Sequence, residues 1–206
     1  MGEARPTLLT IGHSAHDLDA FLRLLGKHAV TAIADVRSQP YSRMYPQFNR
    51  ETLAAALRNA GVQYVYLGKE LGARRDERAA YREGQARYEL IRPLPSFREG
   101  LERVRRGLAS HRIALLCAEK DPLTCHRAIL VCRELRGELE ISHIREDGSL
   151  ESTAQLELRL LDAVGLAPEN LFCTRAELIE QAYDLQAERI AYTESESDAV
   201  ASEEAP

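Results

Sequence analysis

The segment LLCAEKDPLTCHRAIL, residues 115–130, gathers residue types that can do chemistry. Its polar and reactive side chains are Cys117, Glu119, Asp121, Cys125, His126 and Arg127. An ionised thiol is a nucleophile, and a neighbouring arginine or protonated histidine lowers the pKa of a cysteine. A carboxylate and an imidazole can move protons. We therefore predict a reactive centre here and name Glu119, Cys125 and His126 as catalytic candidates.

A metal site is an alternative for the same stretch. Cys117, Cys125 and His126, joined by His13, would supply four ligands that suit zinc. The spacing is not a paired C-x-x-C pattern, and adjacent residues of a helix point about 100° apart, which makes joint ligation by Cys125 and His126 awkward. We therefore expect no metal, and the sequence identifies no cofactor. Cys117 itself is interpreted as a small core residue at the end of a buried strand.

The stretch DVRSQPYSR, residues 35–43, carries the next group of candidates. Arg37 and Arg43 could form a fork for a phosphate or carboxylate, with Ser42 beside them as a further substrate-binding candidate. Asp35 is a catalytic candidate, as a base or as an orienting group. The alternative is that Arg37 pairs with Asp35 or Glu119 and only braces this edge of the structure. The sequence leaves both interpretations open.

The motif TIGHS, residues 10–14, follows the first apolar run. Gly12 would let a backbone or a ligand approach closely, and we take Gly12, Ser14 and Arg127 as substrate-binding candidates. His13 is a catalytic candidate that could move a proton. The chain lacks G-x-G-x-x-G and G-x-x-x-x-G-K-[ST], so neither a dinucleotide fingerprint nor a Walker loop is indicated.

Two kinds of sequence pattern, one typical of strands and one of helices, alternate along the chain and predict the elements that position these residues. Short runs rich in β-branched, aliphatic or aromatic residues predict strands, namely TLLTI (7–11), TAIADV (31–36), VQYVYL (62–67), RIALLC (112–117) and LEISHI (139–144). Helix starts and stops lie between and after them, namely the stripe from Leu18 to Leu25, the stripe of Leu53 and Leu57 closed by Gly61, the pairs Ser96–Glu99, Ser152–Gln155 and Thr174–Glu177, and Asp121 before Pro122. The last of these starts would place Cys125 in the first turn of a helix.

Alternation of this kind predicts an α/β domain of three layers. It would have a mostly parallel central sheet of about five strands, with helices on both faces. Ligands of such sheets bind beyond the carboxyl ends of the strands. The motifs above all follow predicted strands, so we expect them to meet at one edge of the sheet.

Composition and charge define the domain organisation. We expect a single domain over residues 1–192, with 68–95 as an insertion or lid and 152–192 as terminal helices, followed by an acidic, disordered tail over 193–206. Removing the five acids of that tail leaves 27 acidic against 27 basic residues, so the body is neutral. No run is long and apolar enough to span a membrane, and no secretory signal is visible. Four cysteines in a chain of this length indicate thiols and a cytoplasmic protein.

The ordered motifs TIGHS, DVRSQPYSR, YVYLGKELGARR and LLCAEKDPLTCHR together resemble the domain-of-unknown-function family 488, over residues 7–145. The signature positions of that family fall here on Gly12, His13, Ser14, Asp35, Arg37, Pro40, Ser42, Arg43, Leu67, Gly68, Leu71, Gly72, Cys117, Glu119, Pro122, Cys125, His126 and Arg127. Members often carry a second glycine where this chain has Lys69 or Ala73. The resemblance implies an α/β domain and no established reaction.

Three functions are compatible with these residues. The leading hypothesis is a hydrolase or transferase that acts on a phosphorylated or nucleotide-like small molecule or on a nucleic-acid terminus, with Arg37, Arg43 and Arg127 holding the anion. A second is a non-catalytic nucleic-acid-binding or regulatory module that uses residues 69–92, which hold 7 basic against 5 acidic residues. A third is a cysteine-based redox or metal-sensing protein. The oligomeric state is left open.

Overall fold

A six-stranded sheet forms the centre of the protein. The structure is a computed structural model that describes residues 5–167 and 173–194. Its strands are β1 (Thr7–Gly12), β2 (Ala32–Asp35), β3 (Gln63–Tyr66), β4 (Tyr81–Arg82), β5 (Gln85–Ala86), β6 (Ile113–Cys117), β7 (Glu140–Ile144) and β8 (Leu150–Ser152). The central sheet has the order β3-β2-β6-β1-β7-β8, and β4 and β5 form a separate hairpin. The predicted parallel arrangement is confirmed for its first five strands.

The sixth strand, β8, runs antiparallel to β7 and was not predicted. It follows a tight turn in which Gly148 has a φ of 75° and the backbone N–H of Arg145 donates to the carbonyl of Ser149 over 2.9 Å. A strand of three residues is too short to show an alternating pattern, so no local signal predicts it.

Helices cover both faces of the sheet, as predicted. They are α1 (Leu18–Lys27), α2 (Arg50–Asn59), α3 (Gly68–Leu71), α4 (Tyr88–Ile91), α5 (Pro95–Leu108), α6 (Arg133–Leu135), α7 (Thr153–Val164) and α8 (Arg175–Ile190). Phe21 of α1 and Leu53 of α2 pack with Leu9 in one buried cluster. The second cluster joins Leu8 to apolar residues of α5, α7 and α8 on the opposite face. Since successive residues of a strand point to opposite faces, Leu8 and Leu9 separate the two outer layers.

The capping signals are confirmed at two helices and wrong at a third. Ser152 and Thr174 cap α7 and α8 in complete capping boxes. At α5 the helix instead begins at Pro95 without a side-chain cap. Ser96 Oγ donates to Glu77 over 2.7 Å and accepts from Arg75 over 2.6 Å, so an ion-pair network of the preceding segment takes the hydroxyl.

The helix predicted after Asp121 is interrupted. Asp121 does cap a first turn, since its carboxylate accepts from the backbone N–H of Leu123 over 3.0 Å, but that turn is a 3-10 helix of three residues. Cys125 is then extended, with φ −132° and ψ 134°, and a π-helix over Arg127–Cys132 leads into α6. The prediction that Cys125 lies in the first turn of a helix is therefore wrong. The extended backbone returns the Cys125 side chain into the core, where it is 1% exposed.

Residues 68–95, predicted as an insertion or lid, form α3, a 3-10 turn, the β4–β5 hairpin and α4. Arg75 ties the segment together by donating to the carbonyls of Lys69 and Glu70 over 2.6 and 2.7 Å. The hairpin packs on the end of the described chain, because Gln85 pairs with Thr193. Thr193 and Glu194 were assigned to the acidic tail but contact this hairpin and Arg78. Residues 195–206 lie outside the described residues.

All four cysteines are free thiols. No helix among residues 5–167 and 173–194 is long and apolar enough to cross a membrane.

Candidate functional site

Three central strands end side by side and bring the sequence motifs together. The order β2-β6-β1 places the ends at Asp35, Cys117 and Gly12 next to one another. Beyond the sheet, the backbone N–H of His13 donates to the carbonyl of Cys117 over 2.9 Å, and that of Ser14 donates to Ala118 over 2.9 Å. The segments after these strands therefore share one edge of the sheet.

Four chemically active side chains meet at this edge, and we call them the thiol centre: Cys117, Glu119, Cys125 and His126. One nitrogen, oxygen or sulfur atom from each lies within 4.8 Å of the others. The Sγ atoms of Cys117 and Cys125 lie 2.8 and 2.9 Å from the same oxygen, Oε2 of Glu119. Nδ1 of His126 lies 3.5 Å from Sγ of Cys117.

Local structure fixes each member of the thiol centre. Cys117 ends the buried strand β6, and the extended backbone at Cys125 turns its thiol toward that strand end. Nε2 of His126 lies 2.9 Å from the carbonyl oxygen of Val36. Because a carbonyl can only accept, Nε2 carries a proton, and Nδ1 faces the sulfurs. Burial lowers the pKa of His126, but Cys125 and Glu119 together raise it above the usual value, which favours an imidazolium beside the Cys125 thiolate. Cys117 and Cys125 are 2% and 1% exposed, whereas Glu119 is exposed on its outer side.

The electrostatics of the thiol centre separate its two cysteines. Burial raises the pKa of Cys117, and its contacts with Cys125 and Glu119 raise it further. Burial alone would also raise the pKa of Cys125, but Cys117, Arg127 and His126 together bring that pKa well below the usual range. Burial and the neighbouring Cys125 raise the pKa of Glu119. The arrangement therefore favours one thiolate, on Cys125, with the proton retained on Cys117.

Arg127 supports the thiol centre from beneath. The guanidinium is fully buried and donates to the backbone carbonyls of Glu119 and Lys120 over 2.8 and 3.3 Å and to Oγ1 of Thr10 over 3.4 Å. Gly12 lies against the same loop, since a Cβ there would stand 1.9 Å from the carbonyl oxygen of Glu119. The group that approaches Gly12 closely is thus the backbone of Glu119. Arg127 donates its hydrogen bonds largely to the loop that carries Glu119.

Asp35 and Arg37 form a buried brace, one of the two interpretations that the sequence left open. Arg37 donates to Asp35 through Nε over 2.9 Å and Nη2 over 2.6 Å, and Nη2 also reaches the carbonyl of Phe48 over 3.0 Å. The hydroxyl of Tyr64 donates to the same carboxylate over 2.7 Å. Asp35 is 0% and Arg37 5% exposed, so the carboxylate is enclosed by protein partners, while Arg37 also lines the cavity described below.

His13 lies beside the thiol centre but outside it. Its ring stacks on Phe48 with the centroids 4.4 Å apart, and Nδ1 lies 3.0 Å from the carbonyl oxygen of Ser14. Burial lowers the pKa of His13 to about 4, with a smaller contribution from Arg37 in the same direction. A neutral imidazole at this position can still exchange a proton with a bound molecule. Ser14 has a φ of 47° in the turn that follows.

The remaining candidates lie farther out. Oγ of Ser42 accepts from the backbone N–H of Tyr45 over 3.1 Å, and the Ser42 N–H donates to Asn49 over 2.7 Å, so Ser42 shapes the loop. Arg43 is exposed, and no ion pair joins it to another residue of the described chain. Ser42 and Arg43 therefore do not contact the thiol centre.

A cavity of about 380 Å³ opens above the thiol centre. Its lining residues are Arg37, Ser38, Gln39, Tyr41, Ala73, Arg74, Tyr88, Cys117, Ala118, Glu119, Thr124, His126, Ile190 and Tyr192. The buried Cys117 and His126 form its floor, and the exposed Arg74 and Tyr41 form its rim. A second cavity of about 440 Å³ adjoins it and is lined by His13, Ser14 and Ser42 among others.

Sequence reasoning missed several of these residues. Cys117 is a core residue, as interpreted, but it also faces the thiol centre, and its position two residues before Glu119 at a strand end could have indicated that second role. Arg74 stacks on Tyr192, with the guanidinium carbon 4.2 Å from the ring centroid. Nothing in the sequence links Arg74 to Tyr192, because the contact joins distant parts of the chain.

Comparison with known proteins identifies the family. The sequence pattern described as "Domain of unknown function DUF488" matches residues 17–133. The match includes both DVRSQPYSR and LLCAEKDPLTCHR and begins after TIGHS. Comparisons with curated proteins and with solved structures found no match. Because the matched stretch covers more than half of the 206 residues, the chain belongs to the domain-of-unknown-function family DUF488.

Proposed function

We propose that the protein is an enzyme, a hydrolase or group transferase, that acts on a phosphorylated or nucleotide-like substrate. One observation carries the proposal: two thiols, a carboxylate and an imidazole lie within 4.8 Å of one another at the floor of an open cavity. Buried reactive groups that line a cavity at the carboxyl edge of a parallel sheet are typical of active sites.

The cavity rim supports recognition of an anion. Arg74 is exposed there and forms no ion pair with an acid of the described residues, so its charge is available to a phosphate or carboxylate. The guanidinium of Arg74 donates a hydrogen bond from Nη1 to Oε1 of Gln39 over 3.2 Å. Tyr41, Tyr88 and Tyr192 add aromatic surface that fits a sugar or base ring. Arg74 thus takes the anion-binding role that was expected of Arg127, whose donors are used inside the protein, while the braced Arg37 lines the same cavity.

The position of Glu119 supports a role in proton transfer. Its carboxylate contacts both sulfurs and is also exposed to the cavity. A carboxyl group whose pKa is raised can accept a proton from water or from a substrate hydroxyl as the new bond forms, and can return it to the leaving group. This step suits hydrolysis and group transfer alike. His126, held by Val36, keeps the centre in register during the reaction.

The alternative of a nucleic-acid-binding surface over residues 69–92 has less support. Most arginines of that segment are paired with acids, namely Arg75 with Glu77, Arg78 with Glu194, Arg82 and Arg87 with Glu89, and Arg92 with Glu134. Paired charges contribute little to a phosphate-binding field, because each pair is nearly neutral at a distance. Arg74 and Lys69 alone would not hold a nucleic acid against physiological salt.

A ligand panel tests the proposal. The full chain is titrated with inorganic phosphate, nucleoside phosphates, sugar phosphates and a 5′-phosphorylated oligonucleotide, and the thermal midpoint and product formation are recorded. A ligand at a hundred times its Kd stabilises the folded state by about 2.7 kcal/mol, which raises the midpoint measurably. We expect Arg74→Met to weaken this shift and Glu119→Gln to keep the shift but abolish turnover.

The matched control is Arg58→Met, which removes an exposed arginine of α2 outside the cavity. It should behave as the unaltered protein does. The proposal fails if no member of the panel shifts the midpoint or is converted, or if Arg74→Met and Arg58→Met give the same result.

A further inference from the structure

The thiol centre has the dimensions of a metal site. In tetrahedral zinc sites, bonds of 2.0–2.3 Å place neighbouring ligand atoms about 3.3–3.8 Å apart. Nδ1 of His126 and Sγ of Cys117 are already 3.5 Å apart. The two sulfurs lie 2.8 and 2.9 Å from Oε2 of Glu119, so they would move outward by about half an ångström to admit an ion.

The surroundings of His126 are those of a metal ligand. A histidine that binds a metal through one ring nitrogen usually donates the other N–H to a carbonyl or carboxylate, which fixes its orientation. Nε2 of His126 is held in this way by the carbonyl of Val36, at 2.9 Å. Nδ1 is therefore aimed at the sulfurs and can bind an ion once it has released its proton. The hydrogen bond between His126 and Val36 involves neither cysteine.

The donor set selects the kind of ion. Two sulfurs and an imidazole suit zinc and exclude magnesium and calcium, which prefer oxygen ligands. The buried guanidinium of Arg127 lies beneath the centre and offsets the negative charge that two thiolates and a carboxylate leave around a divalent cation. The expectation of no metal rested on the unpaired spacing of the cysteines and on Cys125 and His126 being consecutive residues of a helix. The second ground does not hold, because Cys125 is extended.

We propose that Cys117, Cys125 and His126 bind a zinc ion, with the Glu119 carboxylate at the fourth, exchangeable position that faces the cavity. This inference rests on the proposed function, because it names the group that would activate the reacting water or substrate. Each thiol that still carries its proton releases it to solvent as its Zn–S bond forms, so no oxidant or reductant is needed. When Glu119 leaves the ion, a zinc-bound water has a pKa near 7, and Glu119 is placed to take its proton.

Cobalt and zinc titrations of the metal-free full chain test the site. Co²⁺ replaces Zn²⁺ in tetrahedral thiolate sites and gives sulfur-to-metal charge-transfer absorption. We expect one equivalent of Co²⁺ to give that absorption, and one equivalent of Zn²⁺ to abolish it. Cys117→Ser, Cys125→Ser and His126→Gln should each lose it, whereas Cys173→Ser, which removes an exposed thiol outside the centre, should keep it.

A second measurement uses no variant, so it can be made even if the cysteine variants do not fold. The unaltered protein is alkylated with and without Zn²⁺, and the modified residues are identified by mass spectrometry with Cys173 as internal reference. Zinc should protect Cys117 and Cys125 and leave Cys173 reactive. The inference is overturned if the unaltered protein binds neither ion, if all three variants keep the absorption, or if zinc protects neither thiol.

The outcome separates this inference from the proposed function. Turnover by rigorously metal-free protein would contradict the role of zinc and support the proposed enzymatic function. Zinc binding without any ligand binding or product formation in the panel would support the zinc site and contradict the proposed function.

Discussion

The brace between Asp35 and Arg37 gives the sharpest test of how the side chains at the sheet edge divide their roles. Asp35→Asn removes a carboxylate that accepts four hydrogen bonds, from Nε, Nη2 and the backbone N–H of Arg37 and from the Tyr64 hydroxyl, over 2.6–3.1 Å. It leaves a guanidinium that is 5% exposed without its counter-charge. Breaking a buried pair by removing one partner costs about 3–5 kcal/mol. We expect the free energy of unfolding to fall by that amount.

Urea denaturation at pH 7 measures this cost, and a double-mutant cycle with Arg37→Met isolates the pair. The double variant should lose less stability than the two single variants added together, by about 0.5–3 kcal/mol, since the second change removes the stranded charge. Glu138→Gln is the control, because it breaks an ion pair with Arg105 whose side chains are 45% and 28% exposed. That change should cost less than about 1 kcal/mol.

Two results would refute the reasoning. One is a cost for Asp35→Asn no larger than that of Glu138→Gln. The other is a loss of turnover with unchanged stability, which would return Asp35 to the reacting groups.

Three more predictions follow from buried contacts. Burial, aided by Arg127, lowers the pKa of His143 from 6.5 to about 3, so the unfolded state takes up the proton first and about 1.4 kcal/mol of stability should be lost per pH unit as the pH falls from 6.5 toward 3. His143→Asn should flatten this loss in urea denaturation, and an unchanged slope would contradict it. Gly12→Ala should cost about 1–3 kcal/mol and displace the Glu119 loop, which calorimetry and thiol alkylation can detect; a stable variant with ordinary alkylation rates would be a counterexample. Arg75→Met should release residues 69–92 to limited proteolysis, and an unchanged cleavage pattern would oppose it.

The sheet could be predicted because its signals are local. The strands β1, β2 and β6 are buried on both faces and therefore read as short continuous apolar runs. The capping boxes of α7 and α8 are also local, since each links residues three positions apart. The signal at Ser96 failed because Arg75 and Glu77, from another segment, compete for the same hydroxyl.

The candidate site could be predicted only in part. The order of the strands brought the ends at Gly12, Asp35 and Cys117 to one edge, as expected, and the segment after Cys117 carries Glu119, Cys125 and His126 at that edge. The roles of Arg37 and Arg127 could not be read from the sequence, because whether an arginine binds a ligand or a carbonyl depends on partners chosen by the tertiary fold. The extended backbone at Cys125 could not be predicted either. The Asp121–Pro122 pair indicates where a helical turn begins but not where it ends.

Anomalous scattering at the zinc absorption edge, from crystals of the zinc-loaded protein, tests the central claim most directly. We expect a single strong peak at the floor of the cavity, about 2.3 Å from Sγ of Cys117 and of Cys125 and about 2.0–2.1 Å from Nδ1 of His126. No peak at that position, or zinc bound only elsewhere on the protein, would contradict the assignment of these residues as one functional centre.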